Sequence, residues 1–137
     1  MIPHILIVEA DCAAAQVTSA MLARAVPSAS VSVESNVAAA RRSMQEHPPN
    51  VVIVDPVRQL PESIGLVQHV KTEHPDVRII VIASAPTPAL RREMEGLGVA
   101  AYLEKPALLS VQIQQLLATL RPAPLVLPPL TNTQIKA

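Results

Sequence analysis

The sequence of 137 residues has almost no aromatic side chains: one tyrosine, no tryptophan and no phenylalanine. The core must therefore be aliphatic and rich in alanine, and few rings are available to stack on nucleic-acid bases. The formal net charge is zero, whereas proteins that bind the phosphate backbone need a basic surface. The one basic pair, Arg91-Arg92, is followed by Glu93 and Glu95 and indicates a solvated helix face. We therefore expect no direct binding of nucleic acid.

Cysteine and long apolar runs are scarce as well. Cys12 is the single cysteine, which excludes an internal disulfide and a cysteine metal cluster. The N-terminus has no basic stretch before an apolar one, and no apolar run reaches the length of a membrane span. The sequence is thus typical of a soluble cytoplasmic protein with no membrane partner.

Strand-like and helix-like segments alternate along the chain. Short, mostly apolar runs predict strands at 5–8, 30–33, 51–54, 79–82 and 99–103. Helices are predicted at 12–25, 37–46, 63–73, from Pro88 to about Gly96, and at 107–120, with Asp11, Asn36 and Thr87 as N-caps. Residues 56–62 are predicted to form a loop, because they contain two prolines and show no periodicity. Five β–α units in alternation indicate an α/β fold, with a parallel sheet covered by helices on both faces.

The character of the sequence changes after Leu120. Residues 121–129 contain four prolines, which makes this stretch unsuited to a helix or a central strand. We therefore predict one folded domain over residues 1–120 and a Pro-rich C-terminal tail or linker over residues 121–137.

Polar side chains follow three of the predicted strands. Glu9 comes after the first strand, Asp55 after the third, and Lys105 after the fifth. The carboxyl ends of parallel strands meet at one edge of a sheet, which is where ligands bind in open α/β folds. Two carboxylates and an ammonium group at that edge predict a small site for a divalent cation and a phosphoryl group.

The order of these segments resembles the receiver domain of two-component response regulators, over about residues 5–120. Four stretches carry the resemblance: 5–9, 49–55, 77–82 and 98–106. The resemblance implies a flavodoxin-like (βα)5 three-layer sandwich whose five-stranded parallel sheet has the order 2-1-3-4-5. It also implies a signalling domain in a phosphorelay rather than an enzyme, with autodephosphorylation as the most activity expected.

The resemblance also implies roles for individual residues. Asp55 matches the aspartate that accepts a phosphoryl group from a histidine kinase or phosphotransfer protein, and Lys105 matches the lysine that pairs with this group. Glu9 matches the first of two acidic residues that, together with the phosphoacceptor, hold Mg²⁺. Tyr102 matches the aromatic switch residue of the fifth strand. The output would be a contact with a downstream protein through the fourth helix, fifth strand and fifth helix, and the aliphatic last helix is compatible with a homodimer.

The sequence departs from the family pattern around this site. Ala10 occupies the second acidic position, which weakens the Mg²⁺ site and leaves Asp11 as the remaining candidate ligand. Ala83 occupies the position of a hydroxyl after the fourth strand, so that Ser84 is the candidate substitute. Pro56 removes a backbone N–H beside the phosphoacceptor.

Two functions therefore stay open. In the first, phosphorylation of Asp55 shifts a two-state equilibrium and changes a protein-binding face. In the second, the chain is a pseudo-receiver, an interaction module that acts without phosphorylation. A flavin carrier or a small flavodoxin-like enzyme is disfavoured, because residues 9–13 contain no phosphate-binding loop and no Gly-x-Gly-x-x-Gly pattern occurs.

Overall fold

The computed structural model describes residues 2–56 and 60–104. Strands and helices alternate in the order β1 (His4–Val8), α1 (Cys12–Ala25), β2 (Ser30–Glu34), α2 (Val37–Glu46), β3 (Val51–Val54), α3 (Leu60–Glu73), β4 (Arg78–Ala83), α4 (Pro88–Gly96) and β5 (Ala101–Glu104). All neighbouring strands are parallel, and their order in the sheet is β2-β1-β3-β4-β5. The α/β class and the strand order expected from the resemblance are confirmed. The predicted last helix, 107–120, and the tail lie outside the described residues.

Both faces of the sheet are packed against helices, because successive strand residues point to opposite sides. On one face, buried strand residues pack against α2, α3 and Met94 of α4: Leu6, Val8, Val52, Val54, Ile79 and Val81. On the other face, a second set packs against Leu22 of α1: Ile5, Ile7, Val51, Ile53, Ile80 and Ile82. The core is aliphatic, as the near-absence of aromatic residues predicts.

Side-chain caps begin three of the helices. Asp11 Oδ1 accepts hydrogen bonds from the backbone N–H groups of Ala13 and Ala14, at 2.9 and 3.1 Å. Asn36 caps α2 and Thr87 caps α4 in the same way, each through one backbone N–H. These caps satisfy N–H groups that have no partner within the helix, and all three were predicted from the sequence.

Some element boundaries differ from the predicted ones. α3 begins at Leu60 rather than at Ser63, so the prediction of a loop through residue 62 is wrong in its last residues. Pro61 is tolerated there because the first turn of a helix does not need its backbone N–H. β5 begins at Ala101 rather than at Val99, and Gly98 precedes it with a positive φ of 79°.

Lys71 ties the end of α3 to the turn before β5. Its Nζ donates a hydrogen bond to the carbonyl oxygen of Gly98 at 3.1 Å. A Cβ added at Gly98 would lie 3.3 Å from the same Nζ and would also be strained by the positive φ. Within the described ranges, no helix has the length and apolar character that crossing a membrane requires.

Candidate functional site

Asp55 directly follows β3, a central strand of the sheet between β1 and β4. Its backbone N–H donates to the carbonyl oxygen of Val8 at 3.4 Å, which is long for such a bond and marks the end of the β1–β3 ladder. Its side chain is half-buried. Asp55 therefore lies at the carboxyl edge of the sheet, where its carboxylate is open to solvent in part.

Glu9 lies at the same edge, directly after β1, and is only 8% exposed. Its backbone N–H donates to the carbonyl oxygen of Glu34 at 3.0 Å, which continues the pairing of β1 with β2. Its side chain turns toward the start of α1, where Oε2 accepts a hydrogen bond from the backbone N–H of Asp11 at 3.1 Å. The sequence prediction that Glu9 and Asp55 end neighbouring strands at one edge agrees with the register, which pairs Val8 with Val54.

The Mg²⁺ ligation predicted for Glu9, Asp11 and Asp55 stays a prediction, and two of these carboxylates accept backbone hydrogen bonds. Mg²⁺ requires near-octahedral oxygen ligands. Oδ1 of Asp11 is engaged in capping α1, one oxygen of Glu9 binds the N–H of Asp11, and Ala10 supplies no donor. Within residues 2–56 and 60–104, no group of three or more His, Cys, Asp or Glu side chains is arranged to hold a metal ion.

The next predicted site residues are the hydroxyl after β4 and the lysine after β5. Ala83 is the last residue of β4 and is fully buried, while Ser84 follows it and is exposed. The candidate hydroxyl is therefore on a residue that has already left the strand. Lys105, the predicted phosphoryl partner, lies outside the described residues.

Tyr102 occupies the middle of β5 and pairs with Val81 of β4. Its ring packs against the core cluster that contains Val81, and its hydroxyl oxygen is buried with no hydrogen-bond partner among the described residues. Burial raises the pKa of Tyr102, the nearby carboxylate of Glu104 raises it further, and Arg91 acts in the opposite direction. The position predicted for an aromatic switch thus holds a partly buried ring whose hydroxyl has no partner within the described part of the chain.

Arg91 is the residue that sequence reasoning missed. Its guanidinium carbon lies 5.3 Å from the centroid of the Tyr102 ring. The interpretation of Arg91-Arg92 as a plain solvated pair is incomplete, because Arg91 connects α4 to β5. The nearby acidic residues Glu93 and Glu95 hid this contact, since a mixed charge pattern along a helix is typical of a surface face.

The family model described as the response regulator receiver domain matches residues 5–121 of the chain. The chain therefore belongs to the response regulator receiver domain family. Members of this family are signalling domains of two-component systems, typically bind Mg²⁺ at an acidic site, and interact with kinases and effector domains.

Solved structures of this family have the same fold. The signal receiver domain of a DNA-binding response regulator from Colwellia psychrerythraea 34H is 23% identical, with a TM-score of 0.75, and the match covers 85% of this chain and 98% of that one. A response regulator receiver protein from Pseudomonas putida is 18% identical, with a TM-score of 0.76 and coverage of 87% and 98%. The chemotaxis protein CheY4 of Vibrio cholerae is 18% identical, with a TM-score of 0.74 and coverage of 88% and 100%. None of the curated proteins compared with the chain matches it significantly in sequence.

Proposed function

We propose that the protein accepts a phosphoryl group on Asp55 from a histidine kinase or phosphotransfer protein and signals through contact with a downstream protein. The observation that carries the proposal is the position of Asp55, a half-buried carboxylate directly after the central strand β3 of a receiver fold. This edge is where open α/β sheets bind ligands, and Asp55 is only partly buried there.

The proposed chemistry is the transfer of one phosphoryl group. A carboxylate oxygen of Asp55 attacks the phosphorus of a phosphohistidine, a new O–P bond forms, and the P–N bond breaks. The histidine nitrogen keeps the bonding electron pair, and because the other ring nitrogen of the phosphohistidine carries a proton, the ring leaves as neutral imidazole. Glu9 adds negative charge beside the incoming group, so the site needs a cation to offset it. We assign that role to Lys105, and we propose that any metal contribution is weak because Ala10 supplies no ligand.

The proposed output is a change in the face formed by α4 and β5. An acyl phosphate on Asp55 would favour one of two arrangements of this face, and a partner that binds only that arrangement would read the signal. Tyr102 is the proposed switch residue, because its buried hydroxyl lacks a hydrogen-bond partner among the described residues and so favours a second arrangement in which water reaches it.

A second candidate function is a receiver that acts without phosphorylation, as a fixed interaction module. Three observations favour it: Ala10 in place of an acidic residue, the engagement of Asp11 in capping α1, and the buried Ala83 where a hydroxyl is expected. Each of them removes or diverts a group that would assist transfer.

Incubation with a small phosphodonor and Mg²⁺, followed by intact-mass analysis, separates the two functions. The first predicts a mass gain of one phosphoryl group that is lost in Asp55→Asn and kept in Asp76→Asn, which changes an exposed aspartate in the turn before β4. If no mass gain occurs at any Mg²⁺ concentration, and circular dichroism shows that the protein is as folded after the incubation as before it, only the second function is left.

A further inference from the structure

One side chain of α4, that of Arg91, contacts three groups. The guanidinium of Arg91 lies over the Tyr102 ring at 5.3 Å, its Nε donates to Glu95 Oε2 at 3.2 Å, and its Nη1 lies 3.8 Å from Glu104 Oε2. The Glu95 contact lies within α4, whereas the other two connect α4 to β5. Arg91 is thus fixed from its own helix and directed at the neighbouring strand.

The ring of Tyr102 is held in a position that does not suit its hydroxyl. Among residues 2–56 and 60–104, the buried hydroxyl of Tyr102 has no hydrogen-bond partner, which is unfavourable, and turning the ring outward would return the hydroxyl to water. The packing of the ring against the core opposes that turn. The guanidinium over the ring also opposes it, because an outward ring would lose the attraction between the cation and the ring face.

The contacts of Arg91 contribute more to the attachment of α4 than an ordinary surface interaction would, because few residues of this helix are buried. Met94 is the one residue of α4 that is fully buried. The remaining attachment of this helix to β5 depends on side chains nearer the surface, and Arg91 supplies two of those contacts, to the ring of Tyr102 and to Glu104. An exposed ion pair alone stabilises little, but a cation shared between a ring and two carboxylates limits how the ring can move.

We propose that Arg91 is a positioning residue that holds the Tyr102 ring inward and thereby sets the resting arrangement of the α4–β5 face. The proposal rests on the proposed role of Tyr102 as the switch. Removal of the guanidinium from the ring, by mutation or by an acidic partner that binds Arg91, releases the ring and increases its outward population.

The composition of the chain makes this proposal directly measurable. Tyr102 is the only tyrosine and there is no tryptophan, so the intrinsic fluorescence of the protein comes from this one ring. Quenching by acrylamide at neutral pH reports how far the ring is exposed. We expect faster quenching in Arg91→Ala than in the unmodified protein, and no change in Arg92→Ala, the matched control that removes the neighbouring arginine of the same helix.

Absorbance titration of Tyr102 measures its pKa and gives a second test. The pKa of Tyr102 in Arg91→Ala moves in opposite directions depending on whether Arg91 holds the ring inward or is only a neighbouring charge. In Arg91→Ala, a released ring loses its burial, which is the largest cause of its raised pKa, and the pKa of Tyr102 falls toward that of a solvated tyrosine. A ring that stays in place would keep its burial and the carboxylates of Glu104, Glu95 and Asp55 but lose the cation, so its pKa would rise. A rise in pKa together with unchanged quenching would overturn the proposal.

Two further variants keep the test decisive. Arg91→Lys keeps the positive charge and part of the attraction to the ring, and we expect quenching between that of the unmodified protein and that of Arg91→Ala. If Arg91→Ala does not fold, the same comparison is made with Arg91→Lys against Arg92→Lys, and equal quenching in these two would contradict the proposal. All measurements use unphosphorylated protein, so their outcome is independent of whether Asp55 accepts a phosphoryl group.

Discussion

The carboxylate of Glu9 accepts a hydrogen bond from the backbone N–H of Asp11, with 3.1 Å between Oε2 and N. Asp11 in turn caps α1 through Oδ1. The two carboxylates that flank Ala10 therefore stabilise the turn into α1.

Restoring the second acidic residue should strengthen metal binding. Ala10 is exposed, so a carboxylate fits there without the penalty of burying a charge. We expect Ala10→Asp to bind Mg²⁺ on the order of tenfold more tightly, which corresponds to about 1.4 kcal/mol. Isothermal titration calorimetry with Mg²⁺ measures the change.

Ala13→Asp is the control for this experiment, because it adds the same charge at an exposed position in the first turn of α1. We expect it to leave the Mg²⁺ affinity unchanged. Equal gains in the two variants would show that general attraction by negative charge, and not a metal ligand at position 10, causes the effect.

The role of Asp11 as a cap predicts the stability of two variants. Asp11→Ala removes the acceptor for two backbone N–H groups, and we expect a loss of about 1 kcal/mol in the free energy of unfolding. Asp11→Asn keeps an acceptor oxygen, and we expect its free energy of unfolding to fall by only a few tenths of a kcal/mol. Urea denaturation measures both, and an Asn variant as unstable as the Ala variant would contradict the capping role.

Met94 should control the attachment of α4. Its side chain is fully buried in the cluster with α2 and α3, and truncation to alanine is expected to lower the free energy of unfolding by about 2–5 kcal/mol. Hydrogen exchange of Met94→Ala should show the largest loss of protection within α4. Glu93→Ala changes the exposed neighbouring residue and should stay within about 0.5 kcal/mol of the unmodified protein. A uniform loss of protection over the whole sheet would contradict a local role.

His4 should make stability depend on pH. Burial lowers the pKa of His4, and the charge of His47 lowers it further, while Nε2 lies 2.7 Å from the hydroxyl of Ser32. Below pH 6.5, the ordinary pKa, the unfolded chain therefore binds a proton that the folded protein does not, and stability falls as the pH falls. His4→Gln should reduce this dependence, as measured by urea denaturation at several pH values.

A control for this prediction removes the second cause of the lowered pKa. In His47→Gln, NMR titration of His4 should give a pKa closer to that of an ordinary histidine, because the neighbouring charge is gone. A pKa of His4 that is not lowered in the unmodified protein would contradict the prediction.

Most of the strands and helix starts could be predicted because their signals are local. α1, α2 and β3 have the predicted bounds, since a capping residue or a pair of prolines stands at their ends. The start of α3 was missed because proline suits both a loop and the first turn of a helix. The strand order came from the family resemblance and not from any local pattern.

The contacts around Tyr102 could not be predicted in the same way. The distance from Arg91 to the ring depends on how α4 lies against β5, and no spacing within either segment contains that information. The second use of Asp11 raises a similar difficulty, because the same carboxylate suits a helix cap and a metal ligand. Only the observed hydrogen bonds to Ala13 and Ala14 show that the cap is formed.

The long hydrogen bond from Asp55 to Val8 marks the end of the pairing between β1 and β3. Beyond it, sheet hydrogen bonds no longer fix the backbone conformation. Stability comes from the rows of buried residues before that point, whereas Glu9, Ala10 and Ser84 all lie beyond the ends of their strands. Mutations at the rim therefore leave the fold largely intact while they alter its chemistry. Substitutions at Glu9, Ala10 or Ser84 thus exchange the groups presented at the sheet edge, while the buried rows on both faces of the sheet keep the scaffold in place.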